Sequence, residues 1–512
     1  MTRTRSARIA LLATVFVCAA CGLVYELALV ALGSYLIGDT VGQASIVVSL
    51  MVFAMGMGAL LAKPLQRKAA AAFAAVELVL ALLGGLSVLL LYAAFAWLSL
   101  YTPALIAMAL VLGTLIGAEI PLLMEMLQRI RRQEAGSAVA DLFAADYVGA
   151  LLGGLAFPFV LLPLFGQIEG ALVVGMVNAV AGLGLVLTVF RTELGHQAKA
   201  VLIGSAVVVG GVLGGAYVMA QDFEVTARQA LYADPVVHAE RTPYQEIVLT
   251  ESVSLTGAHD VRLFLNGDLQ FSSVDEYRYH EAMVHPAMSG PHRRVLVLGG
   301  GDGLGLREIL RYPDVERVTL VELDPAMIDL ARTDSRLTSL NGNAFADPRV
   351  VVRTEDAFTW LRGATDRYDV IIVDMPDADS TATAKLYSLE FYGLVERALA
   401  PDGRMAVQSG SPYFAPNAFW CVENTLRAAG LKTVPYEVSV PAFGEWGFHL
   451  AARETTPSLT LPSGVPLRSL DPATLAAAAV FPPDRRNPGD LAVSTLMDPV
   501  ILRYAREEWT NY

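Results

Sequence analysis

The first 220 residues or so contain repeated apolar runs, and no other feature limits the fold more. They lie at 8–33, 41–62, 71–97, 101–123, 139–164, 168–190 and 200–220, seven in all. A helix needs about 20 apolar residues to cross the hydrocarbon of a bilayer. In lipid the backbone must satisfy its own hydrogen bonds, so such runs are read as helices. The composition fits a chain partly in lipid, with 54% hydrophobic and 17% charged residues, far from the soluble average. The first run is too long, and too closely followed by others, to be a cleaved signal peptide. Glycines 56 and 58, and clusters at 149–154 and 210–215, suit helix pairs whose backbones meet in lipid.

Charge orients these spans. Basic residues fall in alternate connections: Arg3, Arg5 and Arg8, then Lys63, Arg67 and Lys68, then Arg129, Arg131 and Arg132, then Arg191 and Lys199. Such residues mark the cytoplasmic side, so the N-terminus is expected inside a multi-pass cell-membrane protein. Seven crossings would put the soluble half outside. Glu26, Glu77, Glu119, Glu125, Asp141 and Asp146 lie at membrane depth or near span ends. Carboxylates are costly there; they either serve a cationic ligand such as a polyamine or bond between helices. Cys18 and Cys21, one helical turn apart, are read as small packing residues, with metal or redox duty the minor reading. A formal net charge of −13 argues against nucleic acid and suits cationic partners. Three cysteines make a disulfide scaffold implausible.

The second half reads differently. Alternating stretches at 244–252, 261–265 and 269–271 around Asn266-Gly267-Asp268 form a small antiparallel sheet. At 294–303 the chain reads R-V-L-V-L-G-G-G-D-G: a buried strand, a glycine turn that lets a ligand approach the backbone, then a helix at 304–311. Further strands are expected at 317–321, 349–352, 368–373 and 403–408, with helices between. The alternation gives a parallel, Rossmann-like sheet with right-handed crossovers. Ligands bind beyond the carboxyl ends of such strands, where this chain carries Asp302, Glu322, Asp356, Asp374 and Asp377. Glu322, about twenty residues past the glycine turn, is placed to accept ribose hydroxyls. Asp356, before Ala357, is placed to accept from an adenine amino group. Asp302 in the turn would repel the carboxylate of S-adenosylmethionine or a pyrophosphate, and attract an amine. That disfavours a methyltransferase or a nicotinamide enzyme.

With these residues in place, the soluble half resembles the spermidine synthases, the polyamine aminopropyltransferases. The matching pieces are Tyr244-Gln245, N-G-D-L-Q at 266–270, D-E-Y-R-Y-H-E at 275–281, G-G-G-D-G at 299–303, V-E-L-D at 321–324, E-D-A-F at 355–358 and D-V-I-I-V-D-M-P-D at 369–377. They occur in the family's order across 240–450. The resemblance implies that Gln245, Asp302, Glu322, Asp356 and Ala357 hold decarboxylated S-adenosylmethionine, with Asp302 on its aminopropyl amine. It implies that Tyr279, His280, Asp302, Asp374 and Asp377 place a diamine, putrescine or a related polyamine. Asp374 would accept the proton; methylthioadenosine would leave. No permanently bound cofactor and no metal is called for, and the family's soluble members are dimers or tetramers. Two segments depart from the pattern and touch the acceptor pocket: A-D-S-T-A-T-A-K at 378–385 in place of the usual lid, and V-P-A-F-G-E-W-G-F at 440–448.

The expected organisation is a polytopic transmembrane domain at 1–222, a small β subdomain at 235–290, a Rossmann-like, methyltransferase-type domain at 291–455 and a C-terminal helical cap at 456–512. The rival reading is a polyamine transporter or sensor with a non-catalytic soluble domain. The resemblance brings a conflict with the charge pattern, since its cosubstrate is made in the cytoplasm.

Overall fold

In a computed structural model of the chain, residues 2–37, 40–130, 135–253, 257 and 259–509 are described. Of the basic residues used to orient the spans, Arg131 and Arg132 lie outside them. The chain divides into two compact units, 1–233 and 234–512.

The first unit is helical: α1 (Thr2–Ile37), α2 (Thr40–Leu61), α3 (Ala69–Ala93), α4 (Tyr101–Ile130), α5 (Ala135–Ala156), α6 (Leu162–Thr188) and α7 (His196–Leu231). Six continuous helical stretches among the described residues are long and apolar enough to cross a membrane. That is one fewer than the seven runs, because α5, a π turn at Phe157–Leu161 and α6 join into a stretch of 50 residues, Val139–Thr188. A straight helix of that size would be about 75 Å long, over twice the roughly 30 Å hydrocarbon thickness. It is not straight: Gly166 breaks it with φ 69° and ψ −167°, a conformation open to glycine and little else.

Small residues bring these helices together, though not always where the sequence points. A Cβ on Gly149 or Gly153 of α5 would lie 2.2 or 2.4 Å from the Phe16 or Ala20 carbonyl oxygen of α1, so the backbones touch there as expected. Gly117 of α4 does the same against Met55 of α2, at 2.0 Å, whereas glycines 210, 211, 214 and 215 face open space. Two of the acids near span ends are ion-paired: Asp141 with Arg8, and Glu125 with Arg129 at 3.0 Å.

The second unit opens with an antiparallel sheet, β1 (Val236–Arg241), β2 (Glu246–Val253), β3 (His259–Leu265) and β4 (Asp268–Ser272), in that spatial order. Asn266 and Gly267 have φ of 54° and 94°, the paired positive values of a tight hairpin turn. β1 is an addition to the strands expected. Helix α8 (Glu276–Val284) then leads to β5 (Arg294–Gly299), α9 (Leu304–Ile309), β6 (Arg317–Glu322), α10 (Pro325–Thr333), α11 (Ser335–Asn341), β7 (Val350–Thr354), α12 (Ala357–Gly363) and β8 (Tyr368–Asp374). After them come α13 (Thr381–Ala384), α14 (Leu389–Ala398), β9 (Leu399–Gln408), α15 (Pro416–Ala428), β10 (Lys432–Val440), β11 (Gly444–Ala452), α16 (Pro472–Ala478) and α17 (Val500–Trp509).

The large sheet runs β10-β11-β9-β8-β5-β6-β7. β9, β8, β5, β6 and β7 are parallel, as their apolar runs imply, but β11 is antiparallel to β9 and to β10. The sheet is therefore mixed rather than parallel throughout. Residues 441–443 are too few for a crossover, which takes a dozen or more residues, so the last two strands form a hairpin. The C-terminal region, expected as a helical cap, is helical among the described residues in α16, a 3-10 turn at Pro483–Arg485 and α17, with 487–499 irregular. Strand order reverses between β5 and β8, and that switch point opens the crevice in which such sheets bind ligands.

Candidate active site

β5 and β8 are neighbours, and their final residues, Gly299 and Asp374, are paired. The glycine turn that follows keeps the backbone bare. A Cβ on Gly300 would sit 3.2 Å from Asp374 Oδ2, and one on Gly301 would sit 2.9 Å from Glu322 Oε2. Two carboxylates from different strands thus reach the same turn, which carries a third. Asp302 accepts the Leu304 N–H at 2.8 Å and so fixes the entry to α9.

Burial dominates the electrostatics. It pushes Asp374 up to about 6, helped by Asp302 and opposed by His280 and by the Tyr279 hydroxyl, which donates to Asp374 Oδ1 at 2.6 Å. Burial also raises Asp302, against the pull of His280. Glu322 is pushed up to about 7 by burial, although the Asp324 N–H donates to it at 3.0 Å. Asp377 is pushed up to about 6 by burial despite the Gln408 amide at 2.9 Å, and Asp379 adds to the rise. Asp268, beside the hairpin turn, reaches about 6 through burial and the nearby Asp379 and Asp377.

His280 is the positive centre among these acids. Burial alone would lower its pKa, but Glu276 accepts from Nδ1 at 2.9 Å and, with Asp302 and Asp374, raises it to about 9. Glu276 is itself gripped by both Arg307 terminal nitrogens at 2.9 Å. This Arg307–Glu276–His280 relay fixes the ring on α8 facing the turn. The Tyr279 ring is packed edge-on against Phe443 and Phe448 of the β10–β11 hairpin, at 6.2 and 5.2 Å.

The structure brings Asp302, Glu322, Asp374, Tyr279 and His280 to one end of the sheet, with Asp377 on the same loop as Asp374. Asp356 is placed differently. It caps α12 through the Thr359 N–H and takes Lys385 Nζ at 2.8 Å; burial opposes its charge, and these bonds outweigh it, so its pKa is lowered. Ala357, the next residue, is buried. Gln245 donates to Asp324 at 3.0 Å.

The chain matches the spermine/spermidine synthase domain model over residues 276–462. It is 61% identical over 511 residues to polyamine aminopropyltransferase 1 of Streptomyces coelicolor, covering 99% of this chain and 96% of that protein. The chain belongs to the polyamine aminopropyltransferase family. It is also 48% identical to the polyamine aminopropyltransferase of Mycobacterium tuberculosis, over 99% of this chain and all of that one. A spermidine synthase solved with the transition state analogue AdoDATO superposes with a TM-score of 0.40 at 24% identity, covering 54% of this chain and 89% of that one.

The protein is thus an aminopropyltransferase, a transferase of polyamine biosynthesis, and the rival of a non-catalytic soluble domain is not favoured. Several residues that shape this aminopropyltransferase site were not singled out from sequence. Gln408 donates to the Met375 carbonyl at 2.6 Å as well as to Asp377, and Tyr387 donates to the Pro376 carbonyl at 3.0 Å, so together they hold the loop after β8. Asp324 accepts from Thr242, Gln245 and the Ala326 N–H. An Asp directly before Pro325 is a helix N-cap signal, and Glu276, four residues before His280, is a helical neighbour. Both were legible. Gln408 and Tyr387 carried no local signal.

Proposed function

We propose that this aminopropyltransferase moves the aminopropyl group of decarboxylated S-adenosylmethionine to a diamine, putrescine, giving spermidine and methylthioadenosine. The observation that carries the reading is the meeting of Asp302, Glu322 and Asp374 at the β5–β8 switch point. Gln245, Glu322, Asp356 and Ala357 hold the nucleoside, and Asp302 takes the aminopropyl amine. Tyr279, His280 and Asp377 place the acceptor with Asp374. In this reading 235–290, 291–455 and 456–512 act as subdomain, catalytic domain and cap.

The chemistry follows from the charges. A primary amine is mostly protonated at neutral pH, with a pKa near 10.4, and a protonated nitrogen cannot attack. Asp374 takes one ammonium proton, the freed lone pair forms the new C–N bond at the carbon beside the sulfonium, and the C–S bond breaks. Methylthioadenosine leaves neutral, its sulfur keeping the bonding pair. The sulfonium is already an activated leaving group, so these side chains supply alignment and electrostatics.

Membranes washed with alkaline carbonate and given both substrates form equimolar spermidine and methylthioadenosine. Spermidine synthesis absent from washed membranes that still contain the protein overturns the reading. Because Asp374 and Asp377 both sit near 6, kcat/KM falls about tenfold or more per pH unit below about 6, as the base is protonated. A flat profile down to pH 5 overturns Asp374 as base.

The apolar unit is placed in the membrane as a homo-oligomer's anchor, with Val139–Thr188 crossing twice around Gly166 and seven crossings in total. The catalytic unit is then outside. Protease added to sealed right-side-out vesicles cleaves it; full protection means an even number of crossings.

A further inference from the structure

Deep in the helical unit, three helices each bring one polar side chain to a common point, and a fourth adds an asparagine. Cys18 of α1, Glu77 of α3 and Glu119 of α4 present ligand atoms that all lie within 4.8 Å of one another. Asn178 of α6 joins them, its Nδ2 donating to Glu77 Oε2 at 2.8 Å. Glu77 and Asn178 are fully buried, Cys18 is 1% exposed and Glu119 5%. The surroundings are built to seat these groups, since a Cβ on Gly182 would lie 2.5 Å from Glu77 Cγ.

The set is incomplete as it stands. Glu77 Oε1, Glu119 Oε1 and Asn178 Oδ1 have no hydrogen-bond partner among the described residues. The hydrogen bond to Glu77 points the Asn178 amide into the cluster and leaves its carbonyl oxygen over. Buried polar atoms are normally satisfied, and leaving several unsatisfied in a dry interior is expensive. Each orphan is an oxygen that can accept, which a bound cation would satisfy.

We propose that this cluster binds one divalent transition-metal ion of the zinc class, held by Cys18, Glu77 and Glu119, with Asn178 as the fourth donor once its amide is flipped to turn Oδ1 inward. The two carboxylates and the Cys18 thiolate together carry three negative charges, of which a dication offsets two and a single ammonium only one. The surrounding core is built of apolar side chains, which offer no further carboxylate for the second ammonium of a polyamine. The sulfur donor selects a thiol-accepting metal over magnesium or calcium. A tetrahedral site with metal–ligand distances of 2.0–2.3 Å puts its donors roughly 3.5 Å apart, so binding draws the four side chains slightly inward. With all four positions taken by protein, the ion acts as a staple joining α1, α3, α4 and α6, and not as a reaction centre. The proposal is independent of aminopropyl transfer.

The test uses full-length protein purified in detergent through a non-metal affinity tag, without chelator. Elemental analysis by plasma mass spectrometry is expected to find about one zinc-class ion per chain, falling below about 0.1 in the Glu77→Gln/Glu119→Gln double variant. Cobalt exchanged into wild type gives a near-ultraviolet thiolate charge-transfer band. Cys18→Ser loses that band, while Cys421→Ser, which removes a buried thiol of the other unit, keeps it. Aminopropyl transfer by each variant reports that the soluble unit is folded. Wild-type protein that carries under about 0.1 ion per chain and takes up neither zinc nor cobalt in calorimetry overturns the proposal, and leaves two neutral carboxyl groups sharing protons.

Discussion

Asp374→Asn is expected to lower turnover at least about a hundredfold while decarboxylated S-adenosylmethionine still binds. Asparagine has nearly the same shape, and its oxygen can still accept the Tyr279 hydroxyl now 2.6 Å from Asp374 Oδ1. What it loses is the capacity to take a proton. The size of the effect follows from the pKa gap. An ordinary aspartate near 3.9 facing an ammonium near 10.4 would pay about 9 kcal/mol for the transfer, at about 1.4 kcal/mol per pKa unit. Burial and the neighbouring Asp302 bring Asp374 to about 6, which cuts the gap to about 6 kcal/mol by the same conversion. The difference, about 3 kcal/mol, is roughly a hundredfold in rate, and the amide forfeits at least that. Single-turnover rates paired with calorimetric binding of the nucleoside test it. Near-normal turnover removes Asp374 from this role; equal loss of binding and rate makes it a binding residue instead.

The sequence carried the parts of this site that are local in the chain. The apolar run at 295–298 and the glycines after it predict a strand, a turn and a ligand, and β5 and α9 stand where those residues put them. Glu322, Asp356 and Asp374 were legible because they end or follow strands of a sheet whose order is constrained. Where the reading stopped, the cause was contact between distant segments. Asp356 meets Lys385 across 29 positions and Asp377 meets Gln408 across 31, and neither pairing has a spacing that marks it. The β10–β11 hairpin made the sheet mixed because only three residues, 441–443, separate its strands. In the helical unit, glycine alone did not say which face is packed: Gly117 meets Met55, while the cluster at 210–215 meets nothing.

Gly299→Ala should be the most damaging single-methyl change in the catalytic unit. Gly299 has φ 82°, and a Cβ there would lie 2.0 Å from the Asp374 carbonyl oxygen. Two penalties therefore combine. Alanine in the left-handed region costs about 1–2 kcal/mol, and the contact, being with backbone, cannot be relieved by turning a side chain. β5 and β8 must part at the switch point, breaking their pairing at Gly299 and Asp374 and moving the proton acceptor. A total loss of roughly 3–5 kcal/mol is expected, with turnover reduced by at least about a hundredfold even in the folded fraction, since an ångström of misplacement costs that much. Gly489→Ala separates the two penalties, because Gly489 has φ 90° and nothing lies within 4 Å of the point where the added methyl would stand. That variant should lose only the roughly 1–2 kcal/mol of backbone strain and keep its activity. Denaturant unfolding of both variants in the same detergent makes the comparison. If Gly299→Ala is no less stable than Gly489→Ala, the strand ends are further apart than described, and the meeting of Asp374 with the glycine turn, on which the site depends, fails with it.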